Sequence, residues 1–135
     1  MRFARRESGM GAYVDIWTYR DSIDVGGSGF NVVGYDVEAI DGSIGKVDET
    51  TYEGHGSHIV VDTGPWIFGK KVMLPAGVIR DVDDTEARVF VHRTKDEIKN
   101  APEFDDTLVR DEDYRGRLGT YYGPGGTGYR DWDVD

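Results

Sequence analysis

The sequence predicts a mainly β fold, a small barrel of five or six short strands with a short C-terminal helix and flexible tails. Three observations carry that prediction. Val33, Tyr35, Val37 and Ala39 alternate with Asp36 and Glu38, the pattern of a half-buried strand, and Asp41-Gly42 follows as a turn. Short apolar runs then recur, each closed by glycine, proline or aspartate, at the spacing of a small all-β domain. After the last of them, Thr94-Lys95-Asp96-Glu97 matches the S/T-x-x-E capping box and switches the signal to helix.

The chain of 135 residues has the length of one domain. Its periodicity divides it into an aromatic and glycine-rich arm (1–32), a barrel (33–105) and a tyrosine- and glycine-rich tail (106–135). The 26 acidic against 16 basic side chains, net charge -10, repel phosphate backbones and anionic lipid surfaces, so nucleic acid is not an expected partner. Without cysteine, neither disulfides nor thiolate chemistry is open to it. Glu7, Ser8 and Gly9 interrupt the place where an export signal needs an apolar run, and no stretch reaches the roughly 18 apolar residues of a membrane-crossing helix. A cytoplasmic protein without membrane insertion is the expectation.

The elements follow in order. In residues 13–23, Tyr13, Ile16, Trp17 and Tyr19 crowd large side chains together, to lie over one end of the barrel or to meet a second subunit. Gly26, Gly27, Ser28 and Gly29 make a flexible connector to the core. Residues 33–39 form the first strand. Beyond the Asp41-Gly42 turn, Ile44 and Val47 are three apart, which breaks strict alternation; a bulge near Gly45 brings both onto the buried face. Residues 50–57 are a polar loop. The continuous run His58-Ile59-Val60-Val61 predicts burial on both faces, or closure into a barrel with no free edge. Thr63-Gly64-Pro65 stops it, Trp66-Ile67-Phe68 makes an apolar tip, and residues 71–74 form the next strand, ended by Pro75. Residues 78–82 and 87–91 are strands five and six, joined by an acidic turn. The helix capped at Thr94 stops before Pro102, with Ile98 and Phe104 pinning it to the barrel. Tyr114 and Leu118, four apart, suggest a weak second helix containing Gly116. The glycine-rich end from Gly123 reads as disordered unless a partner holds it.

The runs GYDVEAIDGSIGKVDE, HIVVDTGPWIFGKKVMLPAGVIRDVD and TKDEIKNAPEF together resemble a PRC-barrel domain over residues 33–104. The turn from Asp41 to Val47, the Leu74-Pro75 strand end and the Ala101-Pro102-Glu103-Phe104 close are specific in combination, and the flanks resemble small stand-alone bacterial members. The resemblance implies a protein-interaction module with no family-wide catalytic residues. That family includes the cytoplasmic domain of the photosynthetic reaction-centre H subunit and the C-terminal domain of a ribosome maturation factor. The chain lacks the membrane helix of the first and the N-terminal barrel of the second, so neither role transfers.

Chemical signatures are thin. His55 and His58 are three apart but straddle a loop and a strand start, with no third ligand in view; His92 reads as a strand-end residue. Asp81, Asp83, Asp84 and Glu86 share only charge with a calcium loop, whose sixth and twelfth positions here are Glu86 and His92. Ser57 beside His58 is adjacency, not a triad, and the glycines around the tip make no phosphate cradle. No catalytic, cofactor or metal residue is therefore assigned, and a small metal-dependent hydrolase is set aside.

What remains is aromatic. Trp66, Ile67 and Phe68 occupy a position where loops are usually polar, and with Trp17, Tyr19, Tyr121 and Tyr122 they form the expected partner-binding set. For Trp66 the alternative is a plug folded back into the barrel's end. The expected protein is non-enzymatic and acts as an interaction or scaffold module, self-associating, with a dimer favoured. The alternative is a ribosome-associated or RNA-processing accessory factor working through a basic protein partner.

Overall fold

The computed structural model describes residues 16–19, 23, 31–50, 57–64, 66, 70–108 and 110–131, the side chains of Glu49, Thr50 and Asp106 excepted. Six strands form one mixed sheet: β1 (Asp36–Ala39), β2 (Gly42–Thr50), β3 (His58–Asp62), β4 (Lys71–Pro75), β5 (Ile79–Asp83) and β6 (Arg88–Val91), in the spatial order β4-β3-β2-β1-β6-β5. Only the β1–β6 pair is parallel. Two helices follow, α1 (Lys95–Lys99) and α2 (Glu112–Tyr122).

The sheet curls. Its two edge strands, β4 and β5, are joined by the 3-10 turn Ala76–Val78 alone. Six flat strands would hold those edges about 24 Å apart, whereas three residues of 3-10 turn advance only about 6 Å. Three bulges help the curl, since an extra residue on one strand sharpens local twist. Ile44 and Asp48 are the extra residues on β2, and Arg80 is the extra residue on β5. The bulge expected near Gly45 is thus present, and it does what the spacing demanded: Ile44 and Val47 are both buried.

Closure into a barrel, in contrast, is not reached among the described residues. The strand order leaves β4 and β5 as edges, and the backbone at their shared corner explains why. Pro75 has no amide to give, the Ala76 amide donates to the Ser57 carbonyl at 3.0 Å, and the Gly77 amide donates to the Ile16 carbonyl at 2.7 Å. The groups that would begin a β4–β5 ladder are engaged elsewhere. Burial of β3 on both faces does hold, with His58, Ile59, Val60 and Val61 all buried.

Helix α1 carries the capping box in full: the Glu97 amide donates to Thr94 Oγ1 at 3.2 Å, and the Thr94 amide donates to Glu97 Oε1 at 2.8 Å. Ile98 and Phe104 are buried, as expected. Asp111 caps α2 by accepting from the Tyr114 amide at 2.8 Å, and Tyr114, Leu118 and Tyr122, four apart in succession, enter the core.

The expectation of a disordered C-terminal end is corrected as far as Asp131. The Gly128 amide donates to the Tyr121 carbonyl at 2.9 Å, and Arg130 makes two 3.3 Å contacts, Nε to Oε1 and Nη2 to Oε2 of Glu97. His92 Nε2 lies 3.1 Å from the Asp131 carbonyl oxygen. Glycine here serves close approach rather than freedom, since a Cβ on Gly128 would fall 2.1 Å from the Tyr121 ring.

Candidate functional site

One end of the sheet gathers the β1–β2 turn, the connection from β3 to β4 and the start of α1. Its base is the Gly45 bulge. Gly45 has φ +144, and a Cβ there would lie 2.0 Å from the Asp62 carbonyl oxygen, so β2 lies against the end of its ladder neighbour β3 with no room for a side chain. Beyond that close approach, Thr63 closes the base of the connection: its hydroxyl donates to the Lys70 carbonyl at 2.8 Å. The Gly64 amide donates to Asp62 Oδ1 at 2.9 Å, and the Trp66 amide donates to the Thr63 carbonyl at 3.1 Å, completing a tight turn.

Lys95 ties the three segments together. Its amide donates to Asp41 Oδ1 at 2.8 Å, a carboxylate placed where the start of a helix favours negative charge. Its aliphatic stem passes Gly42, and its ammonium lies 5.4 Å from the centroid of the Trp66 ring. Ile40, at the neighbouring turn, leaves 49% of its surface in solvent, and its amide donates to the Arg93 carbonyl at 2.9 Å. A rigid turn therefore presents an exposed apolar side chain at the end of the sheet that also holds the half-buried Trp66.

The residues expected to bind a partner have separate fates. Trp66 is half-buried and packed against the core, so it is partly folded back; Ile67 and Phe68 lie outside the described residues, as do Tyr13 and His55. Trp17 is half-buried, with the Arg115 guanidinium 4.3 Å from its ring and Gly119 leaving space for its indole nitrogen. Tyr19 is buried and donates to the His58 carbonyl at 3.4 Å. Tyr121 is half-buried, donates to the Glu97 carbonyl at 2.6 Å and stacks edge-on against Tyr122 at 4.9 Å. Tyr122 is fully buried. Tyr19 and Tyr122 therefore present almost no surface in this fold, a correction that follows from the helical spacing of Tyr122 with Tyr114 and Leu118 and from the bond of Tyr19 to the His58 carbonyl of β3. The backbone of Ile16 and Trp17 bonds to Gly77 and Ser57, which places this segment over the open corner.

Two features escaped the sequence reading. Arg93 is buried at 1% exposure, with Nη1 donating to the His92 carbonyl at 2.6 Å and Nη2 to the Tyr122 carbonyl at 3.0 Å; its charge lies against the Tyr122 and Tyr129 rings. Its place just before the capping box gave no hint of burial. Ile40 and Lys95 were passed over because nothing local signals that the turn and the helix start meet.

The acidic turn satisfies itself. Asp81 accepts from the Val82 amide, Asp83 from the Glu86 amide, and Asp84 from the Tyr35 hydroxyl at 2.7 Å, which raises the tyrosine's pKa. Among the described residues no group of three or more histidine and carboxylate side chains is placed to hold a metal ion, and no helix is long and apolar enough to cross a membrane. Compared with known proteins, the chain matches no family model and no curated sequence.

Proposed function

We propose that this chain is a PRC-barrel protein of the cytoplasm that acts by protein contact and not by chemistry, and that its contact surface is the Trp66 end of the sheet. The observation that carries the reading is Ile40, half in solvent on a turn fixed by Arg93, Asp41 and Lys95, at the same end of the sheet where the Lys95 ammonium meets the Trp66 ring. Apolar and aromatic side chains held rigid lose little entropy when a partner covers them. Support for the family reading comes from the bulged Asp41 to Val47 turn, the Leu74-Pro75 end of β4 and the capped α1 followed by residues 101–104.

Self-association is the first use of such a surface, and a dimer is the expected state. Light scattering on the eluting protein tests it. The wild type should run as a dimer, and Ile40→Asp should run as a monomer with an unchanged unfolding midpoint, because Ile40 contributes little to the core. Trp66→Ala should also weaken the dimer; outright unfolding would instead assign Trp66 to the core.

The net charge of -10 favours a second reading, an accessory factor of the ribosome or of RNA processing that holds a basic protein. Affinity capture from native cells separates the two: basic ribosomal proteins recovered by the wild type and lost with Ile40→Asp would support the second. A wild-type monomer that captures nothing would overturn both.

A further inference from the structure

We propose that the unclosed edge of β4 carries a binding site for a small amphipathic monocarboxylate with an apolar body of about six carbons. A cavity of about 160 Å³ lies between this edge and the chain that leaves α1. Among the described residues no strand pairs with β4 on that side, and Pro102 follows the end of the helix, so that residues 102–104 line the cavity opposite Lys70, Lys71 and Val72.

Its floor is apolar: Val72 from β4, Ile98 from α1, then Ala101 and Phe104. An apolar cavity of about 150 Å³ holds a benzene ring, so the volume suits a phenyl group or a short alkyl chain. Its rim is cationic, from Lys70, Lys71 and Lys99, with Glu103 the lone acid among its lining residues. Lys71 is already matched by Asp48 at 2.8 Å. Lys70 reaches Glu103 only at 3.8 Å, with both side chains more than half exposed, a contact of little strength in water. Lys99 is exposed and has no ion-pair partner among the described residues.

On a chain of net charge -10, a local excess of ammonium groups around an apolar floor is a reversal of the general surface. It complements a ligand that is apolar at one end and singly negative at the other. A cation would meet two lysines with weak or no partners, and a neutral alcohol would gain only the floor. The site adjoins the contact surface proposed above, sharing Lys70 of the β3–β4 connection and helix α1 with it, but it needs no second protein.

Amide-resolved NMR titration of the whole chain is the test. Hexanoate and benzoate should shift Val72, Ile98, Lys99 and Ala101, with a dissociation constant on the order of a millimolar, what eight or nine non-hydrogen atoms gain at fragment efficiencies. Acetate, lacking the apolar body, should bind at least about tenfold more weakly, as the loss of several buried methylenes requires. The Lys70→Glu/Lys99→Glu variant should lose about tenfold in hexanoate affinity while its urea midpoint stays unchanged, both positions being solvated. A peptide ending in a phenylalanine carboxylate tells a chain terminus from a free acid: shifts extending along β4 to Met73 assign the former, shifts confined to the cavity the latter. Hexylamine shifting the same residues as strongly as hexanoate, or hexanoate leaving them unmoved well above a millimolar, would overturn the proposal.

Discussion

Gly45→Ala is the sharpest probe of how the fold positions its Trp66 end. Two separate costs arise. The first is conformational: φ is +144 at Gly45, a region that side-chain-bearing residues rarely adopt, at about 1–3 kcal/mol. The second is steric: the new methyl would sit 2.0 Å from the Asp62 carbonyl oxygen and 2.9 Å from the Thr63 Cα, both backbone. Carbon needs about 3.5 Å, so β2 and β3 must part by an ångström or more, loosening one or two ladder bonds worth about 1 kcal/mol each. A total of about 2–5 kcal/mol follows, against a usual stability of about 5–15 kcal/mol.

Gly34→Ala isolates the first cost, because Gly34 also has positive φ, +90, but nothing lies within 4 Å of its Cβ position. Both variants gain the same small unfolded-state benefit of alanine, which cancels in the comparison. Urea unfolding followed by far-ultraviolet circular dichroism gives both values, and at a slope of about 2 kcal/mol per molar the Gly45 variant should lose about 2 M of midpoint. Equal losses for the two variants, or a Gly45→Ala cost below about 1 kcal/mol, would refute the close approach of Gly45 to the Asp62–Thr63 backbone.

Further predictions concern the C-terminal half. Tyr114 and Tyr122 each bury a hydroxyl with no hydrogen-bond partner among the described residues, whereas Tyr121 donates at 2.6 Å. Tyr122→Phe should therefore be neutral or stabilise by up to about 1 kcal/mol, while Tyr121→Phe should cost about 1 kcal/mol in the same urea assay. His92 is held below its ordinary 6.5, chiefly by burial and then by the charges of Arg93, Arg130 and Arg80, with the Asp131 carbonyl acting in the opposite sense. The unfolded chain then binds the extra proton first, so stability is present above about pH 6.5 and falls as the pH drops from there towards the folded value. His92→Gln should flatten the midpoint between pH 7 and 5.5, a range that leaves Asp36 and Asp105 ionised because both titrate below 3.8.

Much of the fold was legible because local chemistry and tertiary context agree. The spacing of Ile44 and Val47 demanded a bulge, and Gly45 is both the residue that permits it and the one the Asp62 carbonyl requires. Thr94 and Glu97 announced a helix that needs no distant support to begin. What was illegible depends on long-range contact. A glycine that frees a chain and a glycine that admits a neighbour look the same in sequence, so the end of the chain was misread, although Gly128 exists to let Tyr121 lie against it. Burial of Arg93 depends on two carbonyls and two rings, one carbonyl belonging to a residue 29 positions away.

The same distinction explains why an open sheet suffices. A sheet with two free edges leaves part of its inner face uncovered, and short sheets rarely hold a core alone. Here the core draws Tyr19 and Ile23 from before residue 33, and Tyr114, Leu118 and Tyr122 from after residue 105. Ile16 and Trp17 bond to the corner where β4 meets β5, Phe104 lies 5.8 Å from the Tyr114 ring, and Arg130 returns to the capping box of α1 through Glu97. The N-terminal flank thus satisfies backbone groups at that corner, and the C-terminal flank packs against Phe104 and pairs with Glu97. The aromatic residues that a reading of sequence alone sends outward are divided by this arrangement: Tyr19 and Tyr122 fill the core, while Trp17, Trp66 and Tyr121 pack half-buried against it.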